Sequence, residues 1–352
     1  MSAYVVNRSD LSHNIGQLKR LANGVPIWAV IKGDGYGLGA LPLAQLLYAQ
    51  GIDRFCVTEL REARLLRENG LDNVQILMLR SITDRDVLAE LAALRVIVTV
   101  GSMESAEAAA EANAEVHLKI DTGMGRFGFA PSQLEEIASV YETCKVCGIY
   151  THFPCAFCDD GATKRSFDAF CGVLDALRSR GIDPGMAHCC NSSAFFKFPQ
   201  MHLDAVRLGS AILGRLSFPT KLQPVGHVQT HIDELHCLKK GQSTGYGAIF
   251  KAKRDTTLAI VPVGWFHGFQ VSCKEDRSRR RDSIRGILSN LKTFLKPTLP
   301  TVKVGGRTCT VVGAIGMLHC AVDVTGLSIK PGDEVIISLN PLHRNGLPVE
   351  YK

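Results

Sequence analysis

The sequence predicts an α/β protein, a (β/α)8 barrel followed by a mostly β C-terminal domain. Three observations predict it. Eight short apolar runs alternate with amphipathic stretches over about 210 residues, the arithmetic of a closed barrel of eight parallel strands. From about Val225 the pattern changes to strands joined by Gly-rich turns with little helix, such as "LAIVPVG", "KVGGRTCTVVGAIGML" and "EVIISL". Finally, polar or ionisable residues close five of the eight apolar runs, at the ends where the loops of a barrel converge.

In chain order the expected strands are Ile27–Lys32, Phe55–Val57, Gln75–Leu79, Val96–Val100, Val116–Ile120, Val146–Phe153, Met186–Cys190 and Ala205–Gly209. Between them, "LREARLLRENG", "DVLAELAAL", "ESAEAAAEAN", "SQLEEIASVYETC" and "KRSFDAFCGVLDALRSRG" repeat apolar residues at helical spacing. Several stop at Gly or Asn, as helices do. The barrel is expected over residues 1–220, with the first ~8 joining the β domain, and the β domain over 221–352 with a basic insertion near 271–300.

The strand ends carry Lys32, Lys119, His152, Asn191 with Ser192, and Arg207. Such groups are expensive to bury without partners, so five of them at one end of a barrel predict a shared pocket.

Composition narrows the class. The chain has 352 residues, 46% hydrophobic and 21% charged, an ordinary globular mixture. No apolar run approaches the ~20 residues that span a bilayer, and "MSAYVVNRSD" lacks a secretory core. A cytoplasmic protein with reduced thiols is expected from its twelve cysteines in so long a chain. The net charge of +6 is concentrated in Lys274–Lys292, with seven basic and three acidic residues. No aromatic residue interleaves that run to stack on bases, so neither nucleic acid nor a membrane is expected as partner. "CKVCGIYTHFPCAFC" pairs Cys144 with Cys147 and Cys155 with Cys158 in zinc-like spacing. An intervening strand would part the pairs by roughly 20 Å, beyond one tetrahedral ion, so no metal is expected.

The stretch "WAVIKGDGYGLGA" fits neither GxxxxGK[ST] nor GxGxxG, because its glycines alternate and Lys32 precedes them. A lysine at the end of a buried strand is partly desolvated, which favours its neutral amine and suits an aldehyde cofactor such as pyridoxal phosphate. Taken alone, Lys32 is better read as a lysine that extends its ammonium to solvent.

Seven motifs in order decide between these: "KGDGYGLG", "KIDTGMGRFG", "THF", "NSSA", "RLG", "GYGAIF" and "GAIGM". Together, over nearly the whole chain, they resemble the alanine racemase family of pyridoxal-phosphate enzymes. The resemblance implies that Lys32 bonds the cofactor and serves as one of two catalytic bases, with Tyr246 opposite it. It implies a phosphate site of Tyr36, Ser192 and the backbone of Gly209 and Ser210, beside Asn191. Arg207 would face the pyridine nitrogen and His152 would link Arg207 to the opposite base. Arg126, oriented by Lys119, and Met317 would take the substrate carboxylate. In the family Tyr246 and Met317 would come from the second subunit, which implies a head-to-tail homodimer with shared sites.

The sequence departs from the family at four places. "GWFHG" brings Trp265, Phe266 and His267 where the family has G-Y-A-D-G, and Ala314 and Leu318 replace an arginine and an aspartate. The basic run is inserted between strands that the family joins more briefly. In "NPLHRNGLPVEYK", alignment on Pro348 puts Asn345 where the family usually has tyrosine, although Tyr351 lies nearby. Asn345 resembles the serine racemases linked to vancomycin resistance, so the implied substrate is alanine, serine or both. Two other readings remain: a pyridoxal-phosphate-binding protein without turnover, and a decarboxylase of the same fold. The decarboxylases carry a glutamate opposite the pyridine nitrogen, where this sequence has Arg207.

Overall fold

Helices placed between parallel strands return the chain to the same edge each time, which is how apolar runs of this spacing close into a barrel. The computed structural model describes residues 1–271 and 299–352. The basic run Lys274–Lys292, and all but the ends of the insertion, lie outside the described residues. The chain divides into two units, Arg8–Val225 and Met1–Asn7 with Gly226–Lys352.

The chain opens with strand β1 (Ala3–Val6) and helix α1 (Arg8–Ala22). The barrel unit then runs β2 (Ile27–Val30), α2 (Lys32–Gly37), α3 (Ala40–Ala49), β3 (Arg54–Val57) and α4 (Leu60–Glu68). It continues through β4 (Gln75–Ser81), α5 (Arg85–Ala93), β5 (Val96–Val100), α6 (Met103–Glu111), β6 (Glu115–Lys119) and α7 (Leu134–Thr143). It ends with β7 (Lys145–Tyr150), α8 (Asp160–Ser179), β8 (Met186–His188), α9 (Ser192–Lys197) and β9 (Val206–Leu208). The strands lie in the order β8-β7-β6-β5-β4-β3-β2-β9, all parallel, and a bridge from His188 to Ala205 brings the two ends together. Trp28, Val30, Cys56, Leu77, Ile97 and Ala205 pack against one another in its core. Trp28 and Val30 are two residues apart, the period that points alternate side chains to one face.

Three details differ from the sequence expectations. The sixth run leaves the sheet at Tyr150 rather than Phe153, because Arg207 Nη2 takes the Thr151 carbonyl at 2.7 Å. Helix α8 starts at Asp160, four residues before "KRSF", because Asp159 accepts the Ala162 amide at 2.9 Å and caps it. The barrel unit extends to Val225 rather than 220. Hydrogen bonds from Val225 N to Leu213 O and from Gln223 N to Asn14 Oδ1 hold that tail.

The other unit adds β10 (His227–His231), β11 (Glu234–Leu238), β12 (Ser243–Thr244), β13 (Phe250–Lys251) and β14 (Thr256–Val261). After the undescribed stretch come β15 (Thr301–Val304), β16 (Arg307–Val312), β17 (Cys320–Asp323), β18 (Glu334–Ile337) and β19 (Val349–Tyr351). Eight of these strands, with β1, form one sheet in the order β11-β14-β17-β16-β15-β18-β10-β1-β19. The N-terminal β1 pairs antiparallel to β10 and parallel to β19, which ties both chain ends into this unit. Burial alternates residue by residue in β10 and β17, the signature of a sheet with one covered face. Among the described residues no helix is long and apolar enough to cross a membrane.

Candidate active site

A cavity of about 320 Å³ opens at the C-terminal ends of the barrel strands. Five cationic side chains line it (Lys32, Arg80, Lys119, Arg126 and Arg207), with no carboxylate among its lining residues. Tyr36, His152, Asn191, Ser192, Gly209 and Ser210 line it too. Tyr246, Met317 and Asn345 are not lining residues. They belong to the other unit, where Tyr246 is 80% and Met317 50% exposed.

Lys32 follows β2 directly, and the next four residues turn left-handed, with φ between 53° and 64° from Gly33 to Tyr36. Glycine adopts this freely, but Asp34 and Tyr36 each oppose it by about 1–2 kcal/mol. Hydrogen bonds offset the strain: Gly35 N donates to Ile31 O at 2.7 Å and Ala40 N to Asp34 Oδ1 at 2.8 Å. Burial, then the Arg126 charge, holds the Lys32 amine below its ordinary pKa, so more of it is neutral. The same turn carries Tyr36 back over Gly209. A Cβ at Gly209 would lie 2.2 Å from the Tyr36 hydroxyl, so only glycine admits this approach. Burial pushes that phenol up to about 12, which keeps it a hydrogen donor.

Ser192 opens α9, where Asn191 Oδ1 caps the helix by accepting the Ser193 and Ala194 amides, each at 3.1 Å. Ser192 Oγ accepts the Gly209 and Ala211 amides at 3.1 and 3.2 Å, which leaves its proton to donate. The Gly209 amide is thereby engaged within the protein.

Arg207 is buried at the core of the site. Its Nη1 donates to His188 Nδ1 at 2.5 Å and its Nη2 to Thr151 O, with His152 Nδ1 at 3.5 Å, the outer limit of a hydrogen bond. Its Nε has no partner among the described residues. Tyr150 stacks on His188 at 5.0 Å, and the Arg207 guanidinium lies 4.8 Å from the Tyr150 ring centre. Burial first, then Arg207, depresses His152 to about 3.

Lys119 is buried, with Nζ 5.3 Å from the Phe127 ring centre. Burial and then Arg126 lower it to about 8. Arg126 rides a loop closed by the Phe129 N to Lys119 O and Asp121 N to Phe129 O bonds. Asp121 steadies that loop by accepting the amides of Gly123, Met124 and Gly125.

Sequence reasoning missed Tyr150, His188 and His117 behind Arg207, and Thr58, Arg80 and Phe127 at the wall. A usable signal existed for two of them. His117 is two residues before Lys119, and Tyr150 two before His152, so alternation puts each pair on one face. For Arg80, paired with Glu59 at 2.8 Å, nothing local marked the role.

The donor set fits pyridoxal phosphate. A hydroxyl free to donate and a phenol over a glycine suit a phosphate, a partly neutral lysine suits an aldehyde, and the spare Nε of Arg207 suits a ring nitrogen. Residues 6–217 match the family model "Alanine racemase, N-terminal domain" and residues 225–349 match "Alanine racemase, C-terminal domain". An alanine racemase of Clostridium tetani is 33% identical, the match covering 94% of this chain and 84% of that one. One of Desulforamulus reducens is also 33% identical, covering 94% and 88%. The solved alanine racemase of Clostridium difficile 630 superposes with a TM-score of 0.82 at 26% identity, covering 100% of this chain and 95% of that one. Both units match in order along the chain, and so this protein belongs to the alanine racemase family.

Proposed function

We propose that this chain is a pyridoxal-phosphate-dependent racemase that interconverts the L- and D-forms of a small neutral amino acid, alanine or serine, by two bases. The observation that carries the reading is the cavity itself. It holds a partly desolvated lysine, a buried arginine and three further cationic side chains, with no carboxylate in its lining. Members of the family use pyridoxal phosphate, which when bound draws electrons from the amino acid's α-carbon and so acidifies its hydrogen.

Lys32, Tyr36, Ser192 and Ser210 hold the cofactor in this reading. Arg126 binds the substrate carboxylate with Lys119 beside it, fixing which face of the α-carbon meets Lys32. The neutral Lys32 amine accepts the proton from that face. Arg207 is permanently cationic and offers only donors, so it keeps the ring nitrogen unprotonated and limits side reactions. A glutamate there would suit a decarboxylase instead. Turnover, rather than storage of cofactor, is favoured by the Arg126–Lys119 pair, for which storage has no use.

The second base is Tyr246, supplied with Met317 by a second subunit of a head-to-tail homodimer. Tyr246, Ile249, Trp265, Met317 and Leu318 are large apolar groups exposed within one unit. Trp265 N bonds Gly316 O and Phe266 N bonds Met317 O, which gathers two of those segments. Apolar patches of this kind mark association surfaces. In this reading the enzyme acts in the cytoplasm, which its twelve cysteines, expected as reduced thiols, support.

Purified holoenzyme in D2O should exchange the α-hydrogen of L-alanine or L-serine, and Lys32→Ala should abolish the exchange. Tyr246→Phe should slow proton transfer on the Tyr246 face of the α-carbon far more than on the Lys32 face, while racemisation slows equally in both directions. Absence of exchange on both amino acids defeats the proposal.

A further inference from the structure

Glu62 is 4% exposed, and both its oxygens are engaged. Oε2 accepts the Thr58 and Glu59 amides at 2.9 and 3.2 Å, capping α4 from its third residue. Oε1 leaves the helix and accepts the Asp34 amide at 3.1 Å, across 28 residues of sequence. Asp34 lies in the left-handed turn between Lys32 and Tyr36, two residues from each. Capping alone needs one oxygen, so the second is available to serve the turn.

We propose that Glu62 is a positioning residue, whose carboxylate pins the left-handed turn to α4 and so sets where Lys32 and Tyr36 meet the cofactor. The inference rests on the reading of Lys32 as the cofactor-bonding lysine. Three observations support it. Asp34 and Tyr36 are L-residues held at φ 53° and 57°, a conformation that relaxes unless its amides are anchored. The amide at the strained position meets a buried carboxylate, and hydrogen bonds to charged groups are the stronger kind. The carboxylate also raises the Lys32 pKa, against Arg126 and Arg207, which lower it. Glu62 thus acts on the position and on the proton affinity of one nitrogen without lining the cavity.

Glu62→Asp draws the carboxylate back from the Asp34 amide by a methylene, and its effect on the cap of α4 is read separately, as a change in melting temperature. Full-length protein freed of cofactor is titrated with pyridoxal phosphate. Glu62→Asp is expected to weaken binding at least tenfold, with a melting temperature no lower than that of Asp84→Ala, which uncaps α5 away from the turn. Glu62→Gln is expected to shift the pH dependence of cofactor uptake to lower pH, since Lys32 loses the charge that raises its pKa. Wild-type affinity and pH profile in both variants overturn the proposal. Should neither variant fold, hydrogen exchange in wild-type holoenzyme decides: a protected Asp34 amide upholds it, and one exchanging as fast as free chain overturns it. Lys32→Ala in parallel keeps the two readings apart. If that variant still carries cofactor fixable by borohydride, the reading of Lys32 fails. If it does not, and Glu62→Asp binds normally, only the role of Glu62 fails.

Discussion

Arg207 Nη1 lies 2.5 Å from His188 Nδ1, and that contact fixes the proton positions of two buried imidazoles. Guanidinium can only donate, so Nδ1 of His188 accepts and its proton sits on Nε2. His188 Nε2 is 2.9 Å from His117 Nδ1, so His117 accepts in turn and carries its own proton on Nε2. Burial, with Arg207 next, depresses His117 to about 3 and His188 well below its ordinary value, which keeps both neutral as this chain requires. Gly148 makes the room, since a Cβ there would lie 2.6 Å from His117 Nε2.

His188→Leu therefore leaves a buried guanidinium short of an acceptor. Hydrogen bonds to charged groups contribute about 1.5–3 kcal/mol. Urea unfolding should show a loss of that size, together with slower α-hydrogen exchange as Arg207 loses its fixed orientation. His117→Phe should cost less, because it removes the second link and spares the first.

Gly209→Ala tests the phosphate side of the cavity. The added methyl would meet the Tyr36 hydroxyl at 2.2 Å, so the phenol must move. Cofactor affinity should fall at least tenfold, measured by titration with pyridoxal phosphate. Stability should fall by about 1–3 kcal/mol, the usual effect of overpacking.

Lys119 supplies a pH dependence whose sign follows from its pKa of about 8 in the fold against 10.5 for an ordinary lysine. Below pH 8 both the folded and unfolded forms are protonated. Between about 8 and 10.5 the unfolded chain binds the proton and the folded chain does not, so stability rises with pH. Lys119→Met should flatten that rise, read as denaturation midpoints between pH 7 and 10.5 for both proteins. It should also raise the KM for substrate, because Arg126 loses its neighbour.

Asn345 is exposed in the loop after Pro341–His343, where Gly346 packs against the Phe266 ring. If its amide favours a substrate hydroxyl, Asn345→Tyr should lower the serine-to-alanine ratio of kcat/KM several-fold. An unchanged ratio removes Asn345 from the specificity determinants.

The architecture was legible because it is written in local patterns. All eight barrel strands fall on the apolar runs seen in the sequence, within a few residues at their ends. The ends shifted where a side chain distant in sequence intervened, as Arg207 did at Thr151. Ten of the residues singled out in the sequence, from Lys32 to Ser210, line one cavity. They could be found because a barrel sends every strand end to the same face.

The sequence by itself determined the fold class, the ordered motifs and the cationic character of the strand ends, since each depends on residues near one another in the chain. Only the tertiary structure decided what stands behind those residues. The Arg207–His188–His117 chain joins three strands, and Glu62 reaches a turn 28 residues away. Such contacts form where burial removes water and leaves each polar group to find a protein partner, and no local pattern records which partner that is.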